Sequence, residues 1–195
     1  MFPIDDKIVK MQELATKYHE GQFRKYFEPP VPYIFHPLEV ATNVDALFFL
    51  DYLLKIKMIC AAIGHDLLED TNVTEKEIIE AAGEDVLILI KELTNPSKGM
   101  KAPRYVRKQA DRDHLKLVSK EAKIIKLIDR TVNIRDFSNC DDHNFIMMYI
   151  KESRDLLEVL RNTHEVLENK LQKALDDLEE ETKQKYFNGP SPTEF

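Results

Sequence analysis

The densest group of chemically reactive side chains in the sequence is the segment HDLLED at residues 65–70. On a continuous helix, Glu69 would lie one turn after His65. Asp70 would follow Asp66 in the same way, so that all four side chains would face one surface. Three carboxylates that close would repel one another strongly if they were buried without a cation. The segment therefore indicates a divalent-metal site, and the simpler alternative is a charged helix end on the surface.

Two further segments favour the metal site over that alternative. His36 lies among apolar neighbours just before Pro37, and we expect His36 to be extended and Pro37 to begin a helix. Further along the chain, Asp129, Asn133 and Asp136 recur at helical spacing near one face of an otherwise apolar segment. Both segments place ligand-type side chains among apolar residues, where burial is costly unless a partner is bound.

Four ordered motifs carry a resemblance to a known family. They are HEGQFRK at residues 19–25, PYIFHP at 32–37, HDLLEDT at 65–71 and KLIDRTVN at 126–133. A His, then a His-Asp pair, then a distant Asp resembles the HD-domain phosphohydrolases. The order and spacing of all four motifs resemble more closely the hydrolase domain of the RelA/SpoT family. With 195 residues, the chain is similar in size to that domain alone, as in single-domain small alarmone hydrolases of the metazoan SpoT homologue type.

The chain departs from the family pattern at three places. Gly64 stands where relatives usually carry a larger apolar residue, and Ile128 stands where they usually carry a small one. The loop at residues 95–103 also differs from what the family leads us to expect. These changes leave the four metal-ligand positions intact and bear on the shape of the pocket, and therefore on the substrate.

The resemblance implies a metal site with four protein ligands. These are His36, His65, Asp66 and Asp129, all on one divalent ion. Two imidazoles and two carboxylates suit Mn²⁺, Fe²⁺ or Zn²⁺ and leave coordination positions for water and a phosphate oxygen. The family resemblance favours Mn²⁺. Such an ion lowers the pKa of bound water and polarises the phosphorus centre.

The resemblance also assigns the two carboxylates that follow the His-Asp pair. Glu69 and Asp70 would orient and deprotonate the attacking water as catalytic residues. The alternative for both is a supporting contact to a metal ligand or to a helix end. The sequence does not distinguish which of the two is the general base.

A third group of residues is implied to bind the substrate. Arg24 can stack on a base or clamp a phosphate with its planar fork, while Lys25 neutralises charge at a point. Lys126 could reach a phosphate, and Asn133 could bind a ribose hydroxyl or hold a metal ligand in place. His19 belongs to the first motif, and we interpret it as a structural or pocket-lining residue.

The leading prediction is metal-dependent hydrolysis of guanosine 3′,5′-bis(diphosphate), ppGpp, or of pppGpp, to GDP or GTP and pyrophosphate. A second possibility keeps the metal site and changes the nucleotide to an adenine alarmone, NADPH with its 2′-phosphate, or a nucleoside monophosphate. A third is a nucleotide sensor without catalysis. The presence of both Glu69 and Asp70 argues against the sensor.

Apolar residues at helical spacing predict that these side chains are positioned by an all-α fold, an HD-domain helical bundle. We expect one domain over residues 1–187 and a flexible tail at 188–195. The cluster Phe48, Phe49 and Tyr52 is predicted to be core, as is Cys60, whereas Cys140 is predicted to be a surface thiol. The expected helices cover approximately residues 8–18, 37–49, 52–68, 75–83, 84–94, 104–118 and 120–136, and residues 144–185 as one helix or two.

Composition narrows the class of partner. The formal net charge of −7 argues against a nucleic acid polymer as the ligand and leaves room for a local basic pocket that binds a small nucleotide. Apolar runs fall short of the about 20 residues that cross a bilayer, and the N-terminus lacks a signal-peptide pattern. The sequence therefore predicts no membrane partner and a cytoplasmic location. An apolar stripe on the last helix could support a homodimer.

Overall fold

The computed structural model describes residues 5–48 and 50–187, except for the side chains of Ser138 and Phe187. This part of the chain is built from α-helices, with one short 3₁₀ helix at Phe137–Asn139 and an isolated antiparallel bridge between Phe23 and Pro32. The prediction of an all-α helical bundle is confirmed. The helices are α1 Asp6–Tyr18, α2 Phe35–Asp45, α3 Tyr52–Gly64, α4 Leu67–Asp70, α5 Glu75–Ala82, α6 Glu84–Leu93, α7 Arg104–Leu115, α8 Lys120–Asp136, α9 His143–Leu160 and α10 Glu165–Phe187.

Several helix ends follow directly from local sequence. The Thr74 hydroxyl accepts from the Glu77 N–H, and the Glu77 carboxylate accepts from the Thr74 N–H, which completes the capping box of α5. Gly83 ends α5 with a φ of +101°, a conformation that glycine adopts without a Cβ clash. Ser119 caps α8 by accepting from the Ala122 N–H. These three boundaries agree with the sequence prediction.

Helix α3 is the centre of the structure and packs against α1, α2, α6 and α8. Its residues from Met58 to Gly64 are all buried. A Cβ added to Gly64 would lie 2.6 Å from Met11 Cε and 2.7 Å from Ile90 Cδ1. Gly64 therefore lets α1 and α6 approach α3 closely at the point where the helix delivers His65 to the site.

Helix α8 forms the second buried element and links two layers. It packs against α2 and α6 on one side and against α9 and α10 on the other. The leucines of α10, which are Leu167, Leu171, Leu175 and Leu178, are buried in this contact. The apolar stripe predicted for a homodimer is thus used inside the chain, so a dimer would need another surface.

Two helix boundaries near the site differ from the prediction. The expected helix over residues 52–68 is interrupted, because α3 ends at Gly64 and the Asp66 carbonyl starts a new turn by accepting from the N–H groups of Glu69 and Asp70. His36 is not extended, because α2 already begins at Phe35. Its N–H donates to the Tyr33 carbonyl at 2.8 Å, and Pro37 is tolerated there since the first turn leaves N–H groups unpaired.

Three predictions of burial are wrong. Phe48 is 99% exposed and Tyr52 is 57% exposed, because α2 ends at Asp45 and the connection to α3 lies at the surface. Phe49 lies outside the described residues. Cys140 is buried, like Cys60, because it ends the 3₁₀ helix against the core.

Residues 1–4 and the predicted tail at 188–195 also lie outside the described residues. In the part of the chain that the structure describes, no helix is both long and apolar enough to cross a membrane.

Candidate active site

Three helices bring the four predicted metal ligands together. His36 lies in the first turn of α2, Asp129 lies in α8, and His65 and Asp66 form the junction between α3 and α4. One ligand atom from each of His36, His65 and Asp66 lies within 4.8 Å of the others. Asp129 Oδ1 is 3.2 Å from His36 Nε2 and 3.6 Å from His65 Nε2, so Asp129 faces the same two imidazoles. The residues predicted from sequence as ligands therefore form one cluster.

The tautomer of His65 suits metal binding. Its Nδ1 lies 2.8 Å from the Ala62 carbonyl oxygen, which can only accept, so Nδ1 carries the proton. In the neutral imidazole this leaves a lone pair on Nε2, which is buried and has no hydrogen-bond partner among the described residues. Nε2 instead faces Asp66 Oδ2 at 3.0 Å. The residues present thus fit a divalent ion, because an oriented imidazole lone pair and neighbouring carboxylates are an established donor set.

The cluster has strongly coupled charges. Burial alone would lower the pKa of His65, but the adjacent carboxylates of Asp66 and Asp129 raise it well above its ordinary value. Burial alone would raise the pKa of both carboxyls. For Asp66, His65 lowers the pKa instead, and for Asp129 the main opposing charge is Lys126. Both carboxylates are therefore ionised and ready to accept a cation.

Three side chains hold the carboxylate ligands in place. Asn133 Nδ2 donates to Asp129 Oδ1 at 2.6 Å, and Lys126 Nζ lies 2.9 Å from Asp129 Oδ2. The Tyr33 hydroxyl donates to Asp66 Oδ2. Lys126 is buried, and burial alone would lower the pKa of its ammonium group. The negative charge of Asp129 instead raises the pKa of Lys126 above the ordinary lysine value. The structure thus places Lys126 and Asn133 against a metal ligand, one of the two roles that the sequence suggested for Asn133.

The two candidate catalytic carboxylates lie in different surroundings. Glu69 accepts from Asn95 with both oxygens, from the backbone N–H at 2.6 Å and from Nδ2 at 3.0 Å. Asp70 lines the pocket next to the cluster. Loss of water around the Asp70 carboxyl, and then the charges of Asp66 and Glu69, raise its pKa. The structure therefore separates a fixed carboxylate from one that faces the pocket.

A pocket of about 350 Å³ opens beside the cluster. Arg24 in its wall is held by Asp136, to which Nε donates at 3.1 Å, and by Glu39, to which Nη1 donates at 3.2 Å. Lys25 has no ion pair among the described residues. Larger cavities of about 800 and 560 Å³ lie on the α7–α9 and α8–α10 surfaces, away from the four ligands. The lining of the smaller pocket is Phe23, Arg24, Lys25, Tyr26, Tyr33, His36, Asp70, Arg104, Asn133, Asp136, Phe137, Phe145 and Tyr149.

Another part of the pocket lining consists of residues whose role the sequence did not predict. Phe137 stacks on Tyr149 with ring centroids 4.2 Å apart, and Phe145 continues the aromatic surface. Arg104 lies over Phe145 at 5.6 Å and pairs with Glu152 at 2.7 Å. These residues lie beyond the four motifs, on α7, the 3₁₀ helix and α9, where an apolar pattern predicts only core. Tyr33 also lines this pocket, but it lies within the motif PYIFHP at residues 32–37.

His19 occupies a supporting position. It is buried, its Nδ1 lies 2.8 Å from Gln22 Oε1, and its ring centroid is 4.9 Å from that of Tyr33. Gln22 in turn donates to the Asp70 carbonyl at 3.1 Å. His19 therefore supports the Tyr33 and Asp70 side of the site, as the sequence suggested, and is not part of the ligand cluster.

Comparison with known proteins shows the family to which the chain belongs. The HD-domain family profile matches residues 12–167. The chain is 32% identical over 168 residues to guanosine-3′,5′-bis(diphosphate) 3′-pyrophosphohydrolase MESH1 of Xenopus tropicalis, which covers 84% of this chain and 90% of that protein. It is 36% identical over 135 residues to guanosine-3′,5′-bis(diphosphate) 3′-pyrophosphohydrolase of Aquifex aeolicus, or 67% of this chain and 18% of that longer protein.

A solved structure supports the same relation. It is described as a metazoan orthologue of SpoT that hydrolyses ppGpp and plays a role in starvation responses. It superposes on this chain with a TM-score of 0.78 at 25% identity, covering 91% of this chain and 97% of that one. The chain therefore belongs to the HD-domain family and, within it, to the same family as the Xenopus MESH1 protein.

Proposed function

We propose that this protein hydrolyses ppGpp or pppGpp at the 3′-pyrophosphate and releases pyrophosphate with GDP or GTP. The observation that carries the proposal is one continuous site. A buried cluster of two imidazoles and two carboxylates opens onto a pocket with three cationic side chains, Arg24, Lys25 and Arg104. Relatives named as ppGpp 3′-pyrophosphohydrolases match the chain over most of its length.

His36, His65, Asp66 and Asp129 would hold the divalent ion, for which we propose Mn²⁺. When bound, the ion supplies Lewis-acid activation of a water molecule and of a phosphate oxygen. Neutral imidazoles are required, and the carbonyl of Ala62 already fixes His65 in the tautomer that presents Nε2. Tyr33, Asn133 and Lys126 keep the two carboxylates oriented toward the imidazoles.

We assign the proton transfer to Asp70. Its carboxylate faces the pocket, and its raised pKa brings its basicity closer to neutral pH, which favours general-base catalysis. Glu69 is the less mobile of the pair, because Asn95 occupies both of its oxygens. We propose that Glu69 orients the attacking water while Asp70 accepts its proton.

The pocket side chains suit a nucleotide with several phosphates. Lys25 and Arg104 can neutralise phosphate charge, which this chain's net charge of −7 would otherwise repel. Asp136 and Glu39 hold the edge of the Arg24 guanidinium, and one of its faces lies over the Phe27 ring, whose centroid is 5.1 Å from Cζ. The other planar face is the part that remains for a base. Phe137, Phe145 and Tyr149 give the facing wall an aromatic surface.

A product assay tests the proposal. Purified protein with Mn²⁺ is offered ppGpp, its adenine counterpart, NADPH and a nucleoside monophosphate side by side. Pyrophosphate from ppGpp, lost on addition of a chelator, is the expected result. Turnover of another substrate alone would keep the metal site and overturn the pocket assignment. No turnover of any of the four by metal-loaded protein would support the sensor.

Other features predicted from the sequence stay proposals. We propose a cytoplasmic location and a single domain over residues 1–187. A homodimer also stays a proposal, and since the α10 leucines are buried within the chain, it would have to use another surface. Sedimentation of the metal-loaded protein tests the dimer, because a monomer at all concentrations would exclude it.

A further inference from the structure

The loop at residues 95–103 contacts the site at one point, where Asn95 binds Glu69. Two hydrogen bonds join this single residue to both carboxylate oxygens, at 2.6 Å from the backbone N–H and 3.0 Å from Nδ2. We propose that Asn95 is a positioning residue, which fixes the Glu69 carboxylate in the orientation that the hydrolysis needs. The inference rests on the proposed function, since it assumes that Glu69 serves the reaction.

The contact leaves Glu69 able to act. Each carboxylate oxygen has two lone-pair directions, so an oxygen that accepts from Asn95 can accept a second hydrogen bond from a water molecule. Glu69 lies in α4, which begins directly after the ligand Asp66, and its charge reaches the buried ammonium of Lys126. The carboxylate is therefore held by the loop and keeps lone pairs that Asn95 does not use, and its charge acts on Lys126, the partner of the ligand Asp129.

The loop is anchored independently of Glu69. Lys98 Nζ donates to the Leu68 carbonyl at 2.7 Å, and the Ser97 N–H donates to Asp111 Oδ1 at 3.3 Å. Asp111 is buried, and its other oxygen accepts from Lys108 at 3.3 Å. The Ser97 contact fixes the loop on α7, which does not contain Glu69, so the position of Asn95 does not depend on its bonds to Glu69 alone.

The first test replaces Asn95 by Ala. We expect kcat for ppGpp to fall by about 10- to 100-fold, because a misplaced reacting group costs rate and not binding. KM should change by less than about twofold. Gln172→Ala is the matched control, since Gln172 Nε2 also donates to both oxygens of one carboxylate, that of Asp176, which is exposed in α10. Unchanged kcat in Asn95→Ala would overturn the proposal.

The second test inverts the donor and the acceptor. Asn95→Asp places two carboxylates against each other and should lower both Tm and kcat. Adding Glu69→Gln restores a hydrogen bond of the same shape, because the new amide can donate to the new carboxylate. We expect the double variant to recover Tm while its kcat stays as low as that of Glu69→Gln. Recovery of kcat as well would show that the contact is only a structural latch, and would overturn the proposal.

These outcomes separate the inference from the proposed function. If the wild-type protein turns over a different substrate, the proposed nucleotide is wrong, and the same variants are compared on the substrate that reacts. A selective loss of kcat there would still support Asn95 as a positioning residue. If wild-type protein with metal bound turns over none of the four substrates, both the function and this inference fail.

Discussion

The metal cluster and the pocket beside it are built in opposite ways. His36 and His65 are each 2% exposed and Asp129 is 4% exposed, and all three come from helices that pack against one another around α3. Lys25 and Asp70, by contrast, are exposed and lie on a connection and a four-residue helix. The cluster is fixed by the packing of the whole bundle. The wall of the pocket is held by ion pairs between side chains, such as that of Arg24 in a connection with Asp136 in α8.

This difference indicates which part of the site can vary. A change in a buried ligand disturbs charges that cannot be solvated, so that the metal and the stability are lost together. A change at an exposed pocket residue such as Lys25 alters contacts at the surface and leaves the bundle intact. We therefore expect substrate preference to vary with the pocket while the metal chemistry stays the same.

Asp129→Ala should give the largest effect. Loss of a ligand should lower pyrophosphate release by at least about 10³-fold, because a Lewis acid contributes several kcal/mol to the barrier. The substitution also leaves Lys126 as a buried charge without its partner carboxylate. This should lower the free energy of unfolding of the metal-free protein by about 3–5 kcal/mol. Metal content, turnover and urea unfolding check both parts.

The control for this variant is Asp113→Ala. Asp113 pairs with Lys116 three residues away, the same spacing as Lys126 and Asp129, but at the surface. We expect no measurable change in metal content or stability there. Full metal content in Asp129→Ala would contradict the assignment of Asp129 as a ligand.

Tyr33→Phe sharpens the boundary between the two regions. It removes the hydroxyl that orients Asp66, so we expect metal affinity to fall by about 10- to 100-fold with the fold retained. Competition with a chromogenic chelator measures the affinity. Tyr18→Phe is the control, because the Tyr18 hydroxyl also donates to a carboxylate, that of Glu77, away from the site. Equal metal affinity in the two variants would mean that Tyr33 does not support the metal.

Arg24→Ala tests the pocket alone. We expect KM for ppGpp to rise about tenfold, or about 1.4 kcal/mol, while kcat and metal content change little. Arg135→Ala is the control, because Arg135 pairs with the same Glu39 at 3.0 Å but does not line this pocket. A fall in kcat with unchanged KM would place Arg24 in the reaction step and blur the distinction between cluster and pocket.

The smallest predicted effect is the change in stability caused by Asp70→Asn. The raised pKa means that the folded protein binds the Asp70 proton more tightly than the unfolded chain does. That contribution to stability is present at low pH and is lost as the pH rises through the folded-state pKa. Asn cannot ionise, so metal-free Asp70→Asn should be more stable at pH 7, by at most about 1 kcal/mol since the group is partly solvated.

The gain in stability of Asp70→Asn over the unsubstituted protein should become smaller as the pH falls toward about 4, near the ordinary pKa of Asp. Urea unfolding of both proteins at several pH values, with chelator present, measures it. Lower stability of Asp70→Asn at pH 7 would contradict the raised pKa. Turnover should fall in the same variant, because the proposed base is removed.

The sequence predicted the buried part of the site better than the open part. His36, His65, Asp66 and Asp129 could be predicted as candidate ligands because each stands in one of the four motifs, within or next to a segment with a clear apolar period. Arg104 and the aromatic wall could not be, because only tertiary packing brings α7 and α9 to the pocket. The turn at Asp66 was also missed, since the apolar pattern runs on through Leu67 and Leu68 without a helix-breaking residue.

Burial of single residues was the weakest part of the prediction. Phe48 and Tyr52 are apolar or aromatic and were expected in the core, but the surface connection between α2 and α3 exposes both. Cys140 has polar neighbours in the sequence and is nevertheless buried. In each case the neighbouring residues in the sequence do not show whether the side chain faces the bundle or the solvent.

The most direct test of the account is a metal titration. Protein stripped of metal by a chelator is supplied with increasing Mn²⁺, and pyrophosphate release from ppGpp is measured at each step. We expect no turnover in the stripped protein and full turnover at one ion per chain. Turnover in the stripped protein would contradict the central claim that the cluster of two histidines and two aspartates carries the reaction.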